Sequence, residues 1–126
     1  MRIIFLVNRS IDGIYSSLYE SFTKKIYPEK ILAFGNIKTR EDDILITPPS
    51  TLKNNLRVKN ALIRYAGDKI IEELETCILS TNTECFLKAF KYAYLTLKIR
   101  ANVSRVRSSR TVSDFYYIVN KVLKKQ

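Results

Sequence analysis

Arg2-Ile3-Ile4-Phe5-Leu6-Val7, then Asn8-Arg9-Ser10, then the spaced set Ile11, Ile14, Tyr15, Leu18, Tyr19, Phe22 and Ile26 form the stretch on which the fold turns. The first part is an unbroken apolar run rich in β-branched side chains, the pattern of a strand covered on both faces. The second part repeats every three or four residues, which lays one apolar stripe along a helix. Ser10 stands where an N-cap belongs, and Asp12 falls in the first turn near the positive end of the helix dipole. Pro28 ends the helix. The change of period after Val7 therefore predicts a strand over 2–7, a turn and a helix in direct succession.

Working outward, Lys30-Ile31-Leu32-Ala33-Phe34 and Ile44-Leu45-Ile46-Thr47 have the composition of two further strands, near 30–35 and 43–47. Gly35-Asn36 and the charged stretch from Lys38 to Asp43 connect them. Pro48-Pro49-Ser50 stops the last strand, and Ser50 or Thr51 offers a cap for the next helix. From there the period stays helical. Leu52, Leu56, Ala61, Leu62 and Tyr65 mark one helix, with Gly67 suited to a left-handed C-terminal residue. Asp68 can cap a second helix, which carries Ile70, Ile71, Leu74, Cys77 and Ile78. Thr81 and Glu84 have capping-box spacing before a third, with Phe86, Ala89, Phe90, Ala93, Tyr94, Leu97 and Ala101 on one face. Val112, Phe115, Tyr116, Val119, Val122 and Leu123 mark the last. The expected class is α+β in a single domain over 1–126: a small β-α-β-β unit over 1–50, then a helical part of four helices over 51–126.

Composition narrows the function. With 46% apolar and 11% aromatic residues in 126, the chain can bury a core. Only three glycines leave no material for a Gly-rich phosphate cradle. No window approaches 18 uncharged apolar residues, and the apolar run at the N-terminus is too short for a secretory signal. The expected location is the cytoplasm, with no membrane partner. There is no histidine, the side chain most used for acid–base work near neutrality. The two cysteines, Cys77 and Cys85, cannot by themselves supply a zinc site. They read as small buried hydrophobes in a reducing compartment, although a disulfide is geometrically open to them if a turn lies between. No catalytic constellation, metal or cofactor is expected.

Charge is the strongest functional signal. The net +10 is concentrated: residues 86–126 hold ten cations against one acid, Asp114, while the first 85 hold twelve cations and eleven acids. Such segregation creates a directional field that attracts polyanions. Within it, Lys98, Arg100, Arg105, Arg107 and Arg110 are interleaved with Asn102, Ser104, Ser108 and Ser109, the residue types that usually contact phosphate. Lys121, Lys124 and Lys125 extend the set. Tyr92, Tyr94, Tyr116 and Tyr117 lie near and could stack bases where exposed. Helix-dipole complementation and plain solubility are the bland readings of the same cations, and several of the tyrosines sit at core spacing.

The run from Val7 to Phe22 also resembles the opening of a bacterial family described only as probable DNA-metabolism proteins. That opening reads roughly Tyr-Asp-Gly-Ser/Thr-Phe-Glu-Gly followed by an apolar residue, with Phe-Glu-Ala-Tyr shortly after. Ser10, Gly13 and Glu20 match it outright, and Asp12, Tyr19 and Phe22 are conservative replacements. Ile46-Thr47, Leu56-Arg57-Val58 with Leu62, and Leu79-Ser80 look like later family signatures. The resemblance implies a largely helical domain that accompanies a radical-SAM protein of DNA repair or modification, with DNA placed before RNA as the partner. The chain departs from the pattern at Arg9, where the family has a turn glycine, and at Pro48, where it has an aspartate. It also stops at Gln126, before a Glu-x-His-Arg stretch and a Gly-Phe segment. If those segments carry the family's activity, this chain lacks it.

The leading expectation is thus a non-enzymatic nucleic-acid-associated protein, a DNA-metabolism accessory that holds phosphate through its C-terminal basic segment. The alternative is a small interaction or inhibitor protein, of viral or mobile-element type, that docks its basic face on an acidic protein surface. An enzyme working through carboxylates or tyrosines is the third.

Overall fold

The computed structural model describes residues 1–35 and 38–125. Strand β1 (Ile3–Val7) is followed by helix α1 (Ile11–Lys24), β2 (Lys30–Ala33), β3 (Ile44–Ile46), then α2 (Leu52–Ala66), α3 (Lys69–Cys77), α4 (Cys85–Ile99) and α5 (Arg110–Lys124). The class is α+β, with one helix inside the β-α-β-β unit and four after it. The strands form one parallel sheet in the order β2-β1-β3. Phe5 pairs with Ile31 on one side and with Ile46 on the other. A parallel pair needs a crossover, and α1 supplies the one from β1 to β2. The chain between β2 and β3 must then pass to the far side of β1. Asn36, placed by the sequence reading in that connection, lies outside the described residues. Just before β3, Arg2 donates from Nε and Nη2 to the two carboxylate oxygens of Asp43, each at 2.9 Å.

Central β1 is buried on both faces, as its continuous apolar run predicts: Ile4 and Phe5 point to opposite sides and both are at 0% exposure. Phe5 and Val7 join the main core, together with Ile14 and Leu18 of α1, Ile31 of β2, and Phe86 and Phe90 of α4. At the β1–α1 turn, Gly13 is required by proximity rather than by dihedral angle. A Cβ there would lie 2.7 Å from the carbonyl oxygen of Asn8 and 2.9 Å from the Val7 side chain. Ser10 occupies the N-cap position, but its side chain makes no cap bond. The turn closes instead through its backbone, with Ser10 N–H donating to Asn8 O at 2.8 Å and Gly13 N–H to Ser10 O at 3.0 Å.

Helix ends account for the departures from the sequence reading. Thr51 caps α2, accepting from the Asn54 N–H at 3.2 Å, while Ser50 accepts from the Asn55 amide instead. Gly67 has positive φ, 85°, but its ψ of 171° is extended, so the expected left-handed residue is not formed there. Asp68 precedes α3 with helical backbone angles and no side-chain cap bond. The Thr81–Glu84 capping box is absent: Asn82 Oδ1 accepts from the Glu84 N–H at 2.8 Å, so a local asparagine turn opens α4. Helix α4 ends at Ile99, two residues before the expected Ala101, because Arg100 turns left-handed at φ 61°. The single face read for α4 was also too narrow. Leu87 and Tyr92 are buried as well, which makes this the central helix of the bundle.

Candidate nucleic-acid interface

The basic segment becomes a site because of how α4 ends. After Arg100 the chain enters a loop of tight turns over 101–109, held at one point by Val103, which is 5% exposed and joins the core. Asn102 Oδ1 accepts from the Ser104 N–H at 2.9 Å, and Val106 N–H donates to Val103 O at 3.0 Å. With Val103 turned inward, Arg105 and Arg107 are exposed on either side of Val106. The Arg107 Nε–H donates to Ser104 O at 2.8 Å, and its guanidinium lies over the Tyr116 ring, 3.9 Å from the centroid. A planar cation held in this way keeps its Nη edge free for an acceptor.

Beneath it, Tyr116 O–H donates to Glu73 Oε1 at 2.9 Å, and its oxygen lies 3.1 Å from the Tyr92 hydroxyl. Tyr92 also stacks on Phe115, with ring centroids 4.0 Å apart. Burial first, and then the hydrogen bonds to Tyr92 and Glu73, push the Tyr116 phenol well above its ordinary range, so it stays a protonated donor. Above this floor is a cavity of about 480 Å³, whose charged walls are Lys69, Glu73, Arg105 and Arg107. Among the described residues, none of these three cations has a carboxylate within ion-pair distance.

The eight cations nominated from the sequence are all exposed, but they do not converge on one point. Arg105 and Arg107 share the cavity. Arg110 opens α5 and reaches Asp114 at 4.0 Å; the same carboxylate holds Lys88 at 3.3 Å. Lys98 and Arg100 lie at the end of α4, with the Lys98 ammonium 6.0 Å from the Tyr94 ring. Lys121 sits 4.6 Å from the Tyr117 ring and, with Lys125 and Leu79, lines a second recess of about 420 Å³. Lys124 lies in the last turn of α5. At 1.5 Å per residue, that turn is about 20 Å from Arg110 along the axis. The cations thus fall in two groups, one on the end of α4, the 101–109 loop and the start of α5, the other in the last turns of α5, with none over 111–120 between them.

Two of the four tyrosines are corrected. Tyr92 (1% exposed) and Tyr116 (6%) are core residues and cannot stack on bases. Tyr94 is half-buried against Phe22, and Tyr117 alone of the four is open to solvent. The sequence reading missed Lys69 and Glu73. Both come from α3, more than thirty residues before Arg105, and their i,i+4 spacing reads as ordinary helix surface. Cys77 and Cys85 are buried and unbridged, with the Cys77 thiol directed at Cys85 O. No group of three or more potential metal ligands occurs among the described residues. None of their helices is long and apolar enough to cross a membrane. Comparison with known protein families, curated proteins and solved structures finds no match to this chain.

Proposed function

We propose that this is a non-enzymatic nucleic-acid-associated protein, an accessory of DNA metabolism that holds the phosphate backbone with its C-terminal cations. One observation carries the reading: all eight nominated cations are exposed, in a stretch, 86–126, that holds ten cations against the single acid Asp114. Such a local excess of one sign sustains a field that draws an external polyanion. The resemblance of the Val7–Phe22 run to DNA-metabolism proteins supports the same reading. The test is binding to single- and double-stranded DNA and RNA across a salt series. The log–log slope should be about −0.7 to −0.9 per phosphate neutralised. Replacing Arg100, Arg105, Arg107 and Arg110 together by alanine should flatten it by about 3 units, equally for all sequences. Absence of binding at low salt would refute the reading.

A second reading has its own support. Around Lys121 and Lys125, Leu79 (68% exposed) and Tyr117 (59%) present apolar surface that phosphate contact does not use. Such a mixture suits an acidic protein surface, as an interaction or inhibitor protein of viral or mobile-element type would require. Pull-downs that retain a partner with the parent protein and lose it with Tyr117→Ala would favour it.

A further inference from the structure

We propose that the cavity between α3, the 101–109 loop and α5 is a pocket for one nucleotide carrying a phosphate monoester, either the phosphorylated end of a strand or a free mononucleotide. The inference rests on the nucleic-acid reading above and specifies what this part of the interface recognises. Shape is the first argument. A continuous backbone runs past a convex row of cations, but a recess of about 480 Å³ is the size of a small-ligand pocket and suits a single unit.

Charge is the second argument. Three cations and one carboxylate line the pocket, leaving it with two positive charges in excess. A bridging phosphodiester carries one negative charge, whereas a phosphate monoester carries about −1.5 to −2 at neutral pH and offers three terminal oxygens. The pocket therefore matches a chain end better than a chain interior. Arg107 is already oriented by the Tyr116 ring and Ser104 O, so its two Nη groups can grip the phosphate in bidentate fashion at little ordering cost. Lys69 and Arg105, on opposite sides in sequence of the α4 helix, supply the remaining charge.

Glu73 is the third argument, because a site for bare phosphate has no use for a carboxylate. One of its oxygens accepts from Tyr116; the other has no hydrogen-bond partner among the described residues. That oxygen repels a second phosphate and accepts from a neutral donor, such as a sugar hydroxyl or a base amine. An anion grip beside one acceptor is complementary to a nucleotide and poorly suited to inorganic phosphate.

The experiment titrates the full chain with a labelled single-stranded oligonucleotide bearing a 5′-phosphate, with its 3′-phosphate and hydroxyl-ended counterparts, and with adenosine monophosphate, adenosine and inorganic phosphate. At least one phosphorylated end should bind about tenfold or more tightly than the hydroxyl-ended strand. Arg107→Ala and Lys69→Ala should each erase that difference, while Lys53→Ala, which removes an exposed charge on α2, should keep it. Glu73→Gln should leave phosphate recognition intact and narrow the preference for adenosine monophosphate over inorganic phosphate. Saturable binding of free adenosine monophosphate as tight as that of the strand would identify a free nucleotide as the source. Equal binding of all strand ends, with no saturation by adenosine monophosphate, overturns the pocket while salt-dependent strand binding keeps the broader reading alive. Saturable nucleotide binding without any strand binding does the reverse. Thermal melting of each variant separates a lost contact from a lost fold.

Discussion

At the sheet, Arg2 and Asp43 close a two-bond ion pair, Lys24 reaches Glu20 at 3.4 Å, and the N-terminal amine reaches Asp42 at 3.6 Å. Beside the 101–109 loop, Lys69, Arg105 and Arg107 ring a cavity, and the carboxylate among them bonds a tyrosine instead. The recess at the carboxyl ends of the strands, lined by Asn8, Gly13, Thr47 and Ser50, is about 220 Å³ and holds no charged side chain. In open α/β sheets that position is the usual ligand crevice. Here the strand-end recess is neutral, and the helical end carries the excess of positive charge. Charge excess, rather than pairing, separates the two regions, since Arg9, Lys25 and Lys30 near the sheet also lack an ion-pair partner among the described residues.

The sharpest way to break this comparison is to remove charge at the helical end. The quadruple arginine variant should lose about a hundredfold or more in nucleic-acid affinity at moderate salt, given three to four phosphate contacts and their salt dependence. Its unfolding midpoint in urea should move little, since exposed charges contribute little to stability even where, as at Arg110, one reaches a carboxylate or, as at Arg107, one lies on a ring. A variant that unfolds readily would place those arginines among the structural charges and dissolve the distinction.

The opposite change belongs at the sheet end. Gly13→Ala gains about 1 kcal/mol in helix propensity, yet its new methyl meets backbone at Asn8 O, which cannot swing aside. The clash should win by about 1–2 kcal/mol, read in urea denaturation, with strand binding per folded molecule unchanged. A neutral or stabilised Gly13→Ala protein would show that the β1–α1 turn has slack.

These two sites also show what could be read from residues alone. The strand at 3–7 and the helix after Ser10 were legible because their periods differ over a handful of residues, and the four later helices because theirs persists. Gly13 was visible as a glycine, but its reason was not: the close approach depends on how α1 sits on β1. The cation excess was countable in sequence, whereas the cavity required Lys69 and Glu73 from α3, brought in by tertiary packing. The capping box at Thr81 lost to Asn82 because the asparagine Oδ1 takes the Glu84 N–H that the box assigns to Thr81. The strand order β2-β1-β3 had no local signature.

A smaller effect is expected in acid. The Arg2 guanidinium, helped by the Arg40 N–H, holds the Asp43 carboxyl down at about 2, well below the ordinary carboxylate range. A carboxyl lowered on folding adds stability that is fully present above its unfolded value of about 4 and is lost as pH falls from there towards 2. Asp43→Asn should therefore be less stable than the parent at neutral pH, and the gap should close between about pH 4 and 2. A gap that stays constant over that window would mean the pair is not what anchors β3 against β1.

The smallest expected effect is none at all, at the two cysteines. They lie between the two regions, in the packing where α3 hands over to α4. Burial pushes the Cys77 thiol far above its usual range and raises Cys85 as well, so almost no thiolate exists at neutral pH. Cys77 donates to Cys85 O at 3.5 Å, and both side chains are closed to solvent at 0% and 2% exposure. A maleimide added to the native protein should label neither residue over a time in which urea-unfolded protein is labelled at both. Bound oligonucleotide should not change this, because the exposed cations engage it at the surface and leave the α3–α4 packing in place. Labelling that speeds up on nucleic-acid binding would show that the helical end opens when it works, and the division between a rigid scaffold and a rigid charged face would fail there.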